Sequence, residues 1–161
     1  MTKALILCDL DGVLADNQHR MHLVQGDKKD YDSFYGYDNV IKDGVIEDGI
    51  NFVRRLVFGS DEPSVVIVTG RNEKCCRATD EWLIKNEIGA GICSPIEILA
   101  MRREHDYRNS GTVKAELIRD VLKYYDPNMD IYFIDDDPKN VKAVTEAFPF
   151  ITGITFGAGR L

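Results

Sequence analysis

No stretch of this sequence approaches the ~20 consecutive apolar residues that span a bilayer, so no membrane-spanning helix is expected. The first residues, Met1-Thr2-Lys3, run straight into an apolar segment, so no secretory leader is read there. The four cysteines (Cys8, Cys75, Cys76, Cys93) have neither zinc-ligand spacing nor the density of a disulfide scaffold. They read as reduced thiols of a cytoplasmic protein. Basic charge is scarce: 20 Lys+Arg against 27 Asp+Glu leave a net charge of −7. That balance speaks against a large non-specific nucleic-acid surface but not against a small basic site on an acidic body. No G-x-x-x-x-G-K-[ST] phosphate loop occurs, which rules out a nucleotide-binding kinase half of that type. Repeats, low-complexity tracts and linkers are missing too, so the 161 residues read as one domain, 1–161.

What is present is an alternation of strand and helix patterns. Residues 4–9, 64–69, 96–101, 130–134 and 150–155 are short apolar or β-branched runs. Between them, 45–58, 73–88, 113–124 and 138–146 carry apolar residues near helical spacing, with Trp82, Leu83 and Ile84 expected on the inner face of the second. Such an order predicts an α/β protein: a Rossmann-like three-layer α/β/α sandwich around a parallel sheet. Residues 16–44 fit neither a strand nor a long helix.

Chemistry concentrates where the strands end. The first apolar run closes on Asp9-Leu10-Asp11-Gly12, and the second on Thr69-Gly70-Arg71. Lys114 starts a helix, and Asp135-Asp136-Asp137 closes the fourth run. Each has a plain alternative, since Asp and Gly are common turn residues and acids favour helix starts. All four, however, fall in order at the carboxyl edge of one sheet, where open α/β sheets bind ligands. Carboxylates so close repel one another unless a cation neutralises them, and oxygen-only ligands suit magnesium or manganese.

The segments DLDGVL, VVIVTGR, the helical Lys114 and YFIDDDPKN together resemble the haloacid-dehalogenase superfamily of aspartate-based phosphohydrolases. All four of its motifs are present in order across nearly the whole chain. The resemblance implies that Asp9 attacks phosphorus to form an aspartyl-phosphate and that Asp11 acts as general acid and then base. Asp9, Asp135 and Asp136, with the main-chain carbonyl of Asp11, would ligate Mg2+. Thr69, Lys114 and backbone amides beside Asp11 would hold the phosphoryl oxygens. In this superfamily an insertion after the first motif commonly forms a small cap, which here would be residues 16–44. Its aromatics (Tyr31, Phe34, Tyr35, Tyr37) would either stack on a base or form the cap's own core.

A narrower resemblance rests on LADNQHR, VTGR and MRREHDYRNSGTVKAEL. These segments are similar to the phosphatase domain of bifunctional polynucleotide kinase 3′-phosphatases, in which two arginines lie at or around the substrate phosphate. Arg20 and Arg71 match them, with Gly70 beside the phosphate. Arg102, Arg103, His105 and Arg108 form the one local basic cluster, which either tracks a nucleic-acid backbone, binds a nucleotide phosphate or is a solvated loop. The chain departs from that family in carrying Asn109-Ser110-Gly111 where an acidic residue is usual, and in having no kinase half. Three functions follow: a polynucleotide 3′-phosphatase, a 5′(3′)-nucleotidase for free nucleotides, or a non-catalytic phosphate- or metal-binding regulatory module. The intact acidic and lysine motifs oppose the third. Oligomeric state is not legible.

Overall fold

A computed structural model describes residues 3–157. Five parallel strands form the central sheet: β1 (Lys3–Cys8), β4 (Asp61–Asn72), β5 (Ile96–Arg102), β6 (Asp130–Asp135) and β7 (Thr152–Thr155). Their spatial order is β5-β4-β1-β6-β7, and all pairs run parallel. The chain therefore moves outward from β1 on one side, then crosses to build the other. Strand order reverses at β1, and that switch point is where a crevice opens in such sheets. The motif at residues 9–12 stands at its carboxyl end.

Alternation along β1 divides the core. Ile6 and Cys8 face one layer, where α3 (Glu47–Phe58), α4 (Cys76–Lys85) and α5 (Ile88–Ile92) contribute Ile50, Val53, Trp82, Leu83 and Ile92. Leu5 and Leu7 face the other, where α6 (Ser110–Leu122) and α7 (Pro138–Ala147) contribute Ile118, Val121 and Val144. Both faces of the sheet are covered, which explains why β1 and β4 read as unbroken apolar runs. The three-layer α/β/α arrangement expected from the sequence is the observed one. One detail differs. Trp82 and Leu83 are buried, but Ile84 is 69% exposed because it falls on the solvent side of α4.

The 16–44 excursion is built from short pieces. A 3-10 turn over Gln18–Val24, α1 (Tyr31–Phe34) and α2 (Tyr37–Val40) are enclosed by β2 (Ala15–Asp16) and β3 (Gly44–Val45), which pair antiparallel. Val40 packs with Cys75, Ala78 and Met101, seating the excursion against the start of α4 and the end of β5.

The helix α3 lies directly on the loop that follows Asp9. A Cβ at Gly49 would fall 1.6 Å from the Val13 carbonyl oxygen, so no side chain fits between helix and loop. Gly49→Ala must displace one of them and is expected to cost about 3 kcal/mol. Gly26→Ala has open space around it and meets only the φ of +82°, for a cost of about 1 kcal/mol. Urea denaturation of the two variants checks the contrast.

Candidate functional site

β1 and β6 end side by side, with Cys8 paired to Ile134 and the Asp9 amide donating to the Ile134 carbonyl (2.8 Å). This register puts Asp9 next to Asp135. Ligand oxygens of Asp9, Asp135 and Asp136 all lie within 4.8 Å of one another. Lys114, on the first turns of α6 and buried, inserts its ammonium between two of them: Nζ is 2.8 Å from Asp9 Oδ1 and 2.6 Å from Asp135 Oδ2. Burial pulls the lysine pKa down, but the two carboxylates outweigh it and hold it above its ordinary value. Burial also pushes Asp9 well above the usual carboxylate range; Lys114 opposes that rise and Asp135 adds to it. Asn140, from α7, donates its amide to Asp135 (3.2 Å to Oδ2), and Asp137 caps the same helix by accepting from the Lys139 amide (2.9 Å).

Asp136 reaches the site because residue 12 is glycine. A Cβ there would lie 2.0 Å from Asp136 Oδ2, and Gly12 also holds φ at +84°. Both the close approach and the left-handed backbone require glycine.

Arg71 is turned inward by an irregularity in β4. Thr69 pairs with Met101 and Asn72 with the very next residue, Arg102, so Gly70 and Arg71 bulge out of register. Bulges re-aim side chains in this way. The Thr69 hydroxyl accepts from the Arg71 amide (3.1 Å), leaving its own proton to donate. Arg71 forks onto Asp11, with Nε at 2.9 Å from Oδ2 and Nη2 at 2.6 Å from Oδ1. It also bonds Asp43 Oδ2 (2.6 Å) and Thr79 Oγ1 (3.2 Å). Burial lowers the Arg71 pKa, but Asp11 and Asp43 more than restore it.

Arg20 is equally enclosed. Its Nε and Nη2 pair with the two Asp43 oxygens (2.8 and 2.9 Å), Nη1 bonds the Phe34 carbonyl (2.9 Å), and the guanidinium stacks over the Phe34 ring at 4.3 Å. Every hydrogen-bonding branch of Arg20 and Arg71 is thus engaged by protein groups, and both are almost fully buried. Arg71 bonds Asp11 directly and Arg20 lies behind it, with Nη2 3.8 Å from Asp11 Oδ1, so both stand around the Asp11 carboxylate.

Asp43 was not singled out from sequence. Its carboxylate takes bonds from Arg20, Arg71 and His19 (2.8 Å), and its carbonyl takes the Trp82 indole N–H (2.7 Å). Asp43-Gly44 reads as an ordinary turn, and no local signal marks it otherwise. Asn140 and Thr79 were missed as well: each acts only by fixing a charged partner, Asp135 and Arg71, and neither residue type marks that role by itself.

Of the basic cluster, Arg108 is paired with carboxylates and Arg102 with main-chain carbonyls. Arg102 donates Nε to the Gly70 carbonyl (3.0 Å) and Nη1 to the carbonyls of Asp106 (3.0 Å) and Arg108 (2.6 Å). Arg108 is spent on Asp106 and Glu116. Arg103 is exposed. Ser110, at the position where an acid was looked for, lies 3.5 Å from the Asn140 amide.

Five acidic side chains (Asp9, Asp11, Asp43, Asp135, Asp136) stand around three buried cations (Lys114, Arg20, Arg71). The oxygen-only donor set of Asp9, Asp135 and Asp136 fits a hard divalent cation in ligand type. Asp11 is not among the three converging carboxylates, because its side chain belongs to Arg71. Removing the Asp43 charge would strand two buried guanidinium groups. Asp43→Asn is expected to lower stability by about 3–5 kcal/mol, read as a fall in the urea midpoint with an unchanged m-value.

No curated protein matches the chain significantly. Among solved structures, one similar fold is a chain of the Pnkp1/Rnl/Hen1 RNA repair complex (21% identity, TM-score 0.65), covering 96% of this chain and 42% of that one. A second is the N-terminal part of a Bacteroides fragilis protein containing a phosphatase domain complexed with Mg (19%, 0.55), covering 96% of this chain and 36% of that one. A third is the HAD domain of the effector Lem4 from Legionella pneumophila (14%, 0.54), covering 99% and 88%. The chain spans less than half the length of the first two. Those likenesses show the fold. A family model, the polynucleotide kinase PNKP phosphatase domain, matches residues 3–146. With its parallel sheet, four motif edges and acidic cluster, the chain belongs to that family of HAD-type phosphatase domains.

Proposed function

We propose that this protein is a magnesium-dependent phosphomonoester hydrolase that removes 3′-phosphates from polynucleotide ends through an aspartyl-phosphate. The observation that carries this reading is the Lys114 ammonium held between Asp9 and Asp135, with Asp136 beside them, at the switch point of the sheet. The polynucleotide preference is supported by the family match. Asp9, Asp135 and Asp136, with the Asp11 carbonyl, are the groups that would hold Mg2+. Bound there, the ion supplies charge against the phosphoryl oxygens.

The residues divide the work. Asp9 attacks phosphorus through a carboxylate oxygen, and the bond from phosphorus to the ester oxygen breaks. Asp11 delivers a proton to that leaving oxygen, then takes one from the water that attacks the aspartyl-phosphate and frees inorganic phosphate. Lys114 and the Thr69 hydroxyl donate to the equatorial oxygens as charge moves through the transition state. Arg71 fixes the direction of the Asp11 carboxyl, and Arg20 fixes Arg71 through their shared partner Asp43. These two arginines are positioning residues in this scheme. Residues 16–44 serve as a small cap whose Arg20 and Asp43 tie it to the general acid.

Phosphate release from a 3′-phosphorylated oligonucleotide, a 3′-mononucleotide and a 5′-mononucleotide tests the reading. The expected order of kcat/KM follows that sequence, with activity lost on chelation and restored by Mg2+. Asp9→Asn should reduce kcat at least about 10⁴-fold while leaving the fold intact. Full activity in Asp9→Asn would rule out the covalent route. A preference for either mononucleotide would make the protein a nucleotidase.

A further inference from the structure

A pocket of about 460 Å³ opens beside Gly70, between residues 31–35 of the insertion and the loop that follows β5. That volume falls within the ~300–1,000 Å³ of small-molecule sites. Two of its walls are aromatic. Tyr31 and Tyr35 form one, with ring centroids 6.3 Å apart and planes only 18° from parallel. Tyr107 stands in the other, on the loop after β5. Tyr107 is 86% exposed and Tyr31 50% exposed. Flat apolar faces left in solvent around a concavity mark binding surfaces.

The second wall is held in place before any ligand arrives. Arg102 bonds the carbonyls of Gly70, Asp106 and Arg108, and His105 sits in the left-handed region (φ 66°) at the tight turn between them. A loop ordered in advance adds little entropic cost on binding. Cationic groups line the same cavity. Lys74 lies between the walls, with Nζ 3.4 Å from Glu104 and 3.8 Å from Asp32, and Arg102 forms part of the floor. The pocket starts one residue from Thr69, since Gly70 belongs both to it and to the end of β4. A Cβ at Gly70 would lie 3.1 Å from Ser110 Oγ and 3.7 Å from Arg102 Nη2, so the floor there is bare backbone.

Resting on the phosphatase reading above, we infer that this cavity is a base-stacking subsite. The nucleoside that carries the scissile phosphate lays its base between the Tyr31–Tyr35 face and Tyr107, with Lys74 and Arg102 toward its sugar-phosphate. Aromatic walls with interleaved cations are what a single nucleotide needs, and stacking of this kind is tolerant of base identity. A net charge of −7 disfavours a long basic groove, so the subsite is expected to read the terminal nucleotide.

The test compares a 3′-phosphorylated single strand ending in an ordinary nucleotide with the same strand ending in an abasic residue. In the wild type, the abasic end is expected to lose about 10- to 100-fold in kcat/KM, the range that stacking one base supplies. In Tyr107→Ala, a surface substitution, the two substrates should come within about threefold of each other. Equal use of both ends by the wild type, or an undiminished ratio in Tyr107→Ala, overturns the subsite. Hydrolysis of p-nitrophenyl phosphate, which has no base, reports on the phosphatase reading separately. If no substrate is turned over, that reading fails, and calorimetric titration with the unphosphorylated strand decides the pocket. An affinity about tenfold lower in Tyr107→Ala then supports it, whereas equal affinity or no binding overturns it.

Discussion

Charge balance in a confined space governs this molecule. Crowding five carboxylates at one edge of a sheet is repulsive, and removing them from water adds a further cost. Lys114 joins the acids of β1 and β6. Arg71 and Arg20 join the loop after β1 to β4 and to the 16–44 excursion through Asp43. Each buried cation therefore does two jobs at once: it lowers the repulsion and it fixes one element against another. Burial of an arginine is rare without such pairing, and no buried side-chain polar atom among the described residues lacks a hydrogen-bond partner.

The same pairing explains how the excursion is attached. Its apolar contribution is small, chiefly Val40 and Phe34. The firmer link is electrostatic: Arg20 enters from the excursion, Asp43 closes it, and the indole of Trp82 takes the Asp43 carbonyl from below. A segment poor in secondary structure is thereby given one definite position over the loop that bears Asp11.

The frame of this arrangement was legible in the residues, and the reason is local. Strands buried on both faces read as apolar runs, and amphipathic helices read by their period, so β1, β4, β6 and the helices between them could be placed from pattern alone. Asp9, Asp11, Lys114 and Asp135 could be placed because strand ends on a parallel sheet share one edge. The orientation of Arg71 was not legible, since it depends on a bulge at Gly70 that no composition signal announces. Nor was that of Arg20, whose partner lies 23 residues away. Asp43 escaped because its importance comes from what surrounds it. Ile84 was misplaced by a single step around α4, within the ordinary error of reading a face from a short apolar cluster.

The place of β1 in the sheet has a consequence for biosynthesis. Ile6 is flanked by Val65 on one side and Tyr132 on the other, so the strand is made long before either neighbour exists. At ~5–20 residues per second, the interval between the synthesis of Cys8 and that of β6 is roughly 6–25 s. Until β4 emerges an apolar strand, Ala4–Cys8, has both hydrogen-bonding edges open, and the edge that later takes β6 stays open throughout. Such a strand pairs with whatever edge it meets. The nascent chain is therefore most exposed to misassembly before β6 emerges, a consequence of placing the strand that leads to Asp9 at the centre of the sheet.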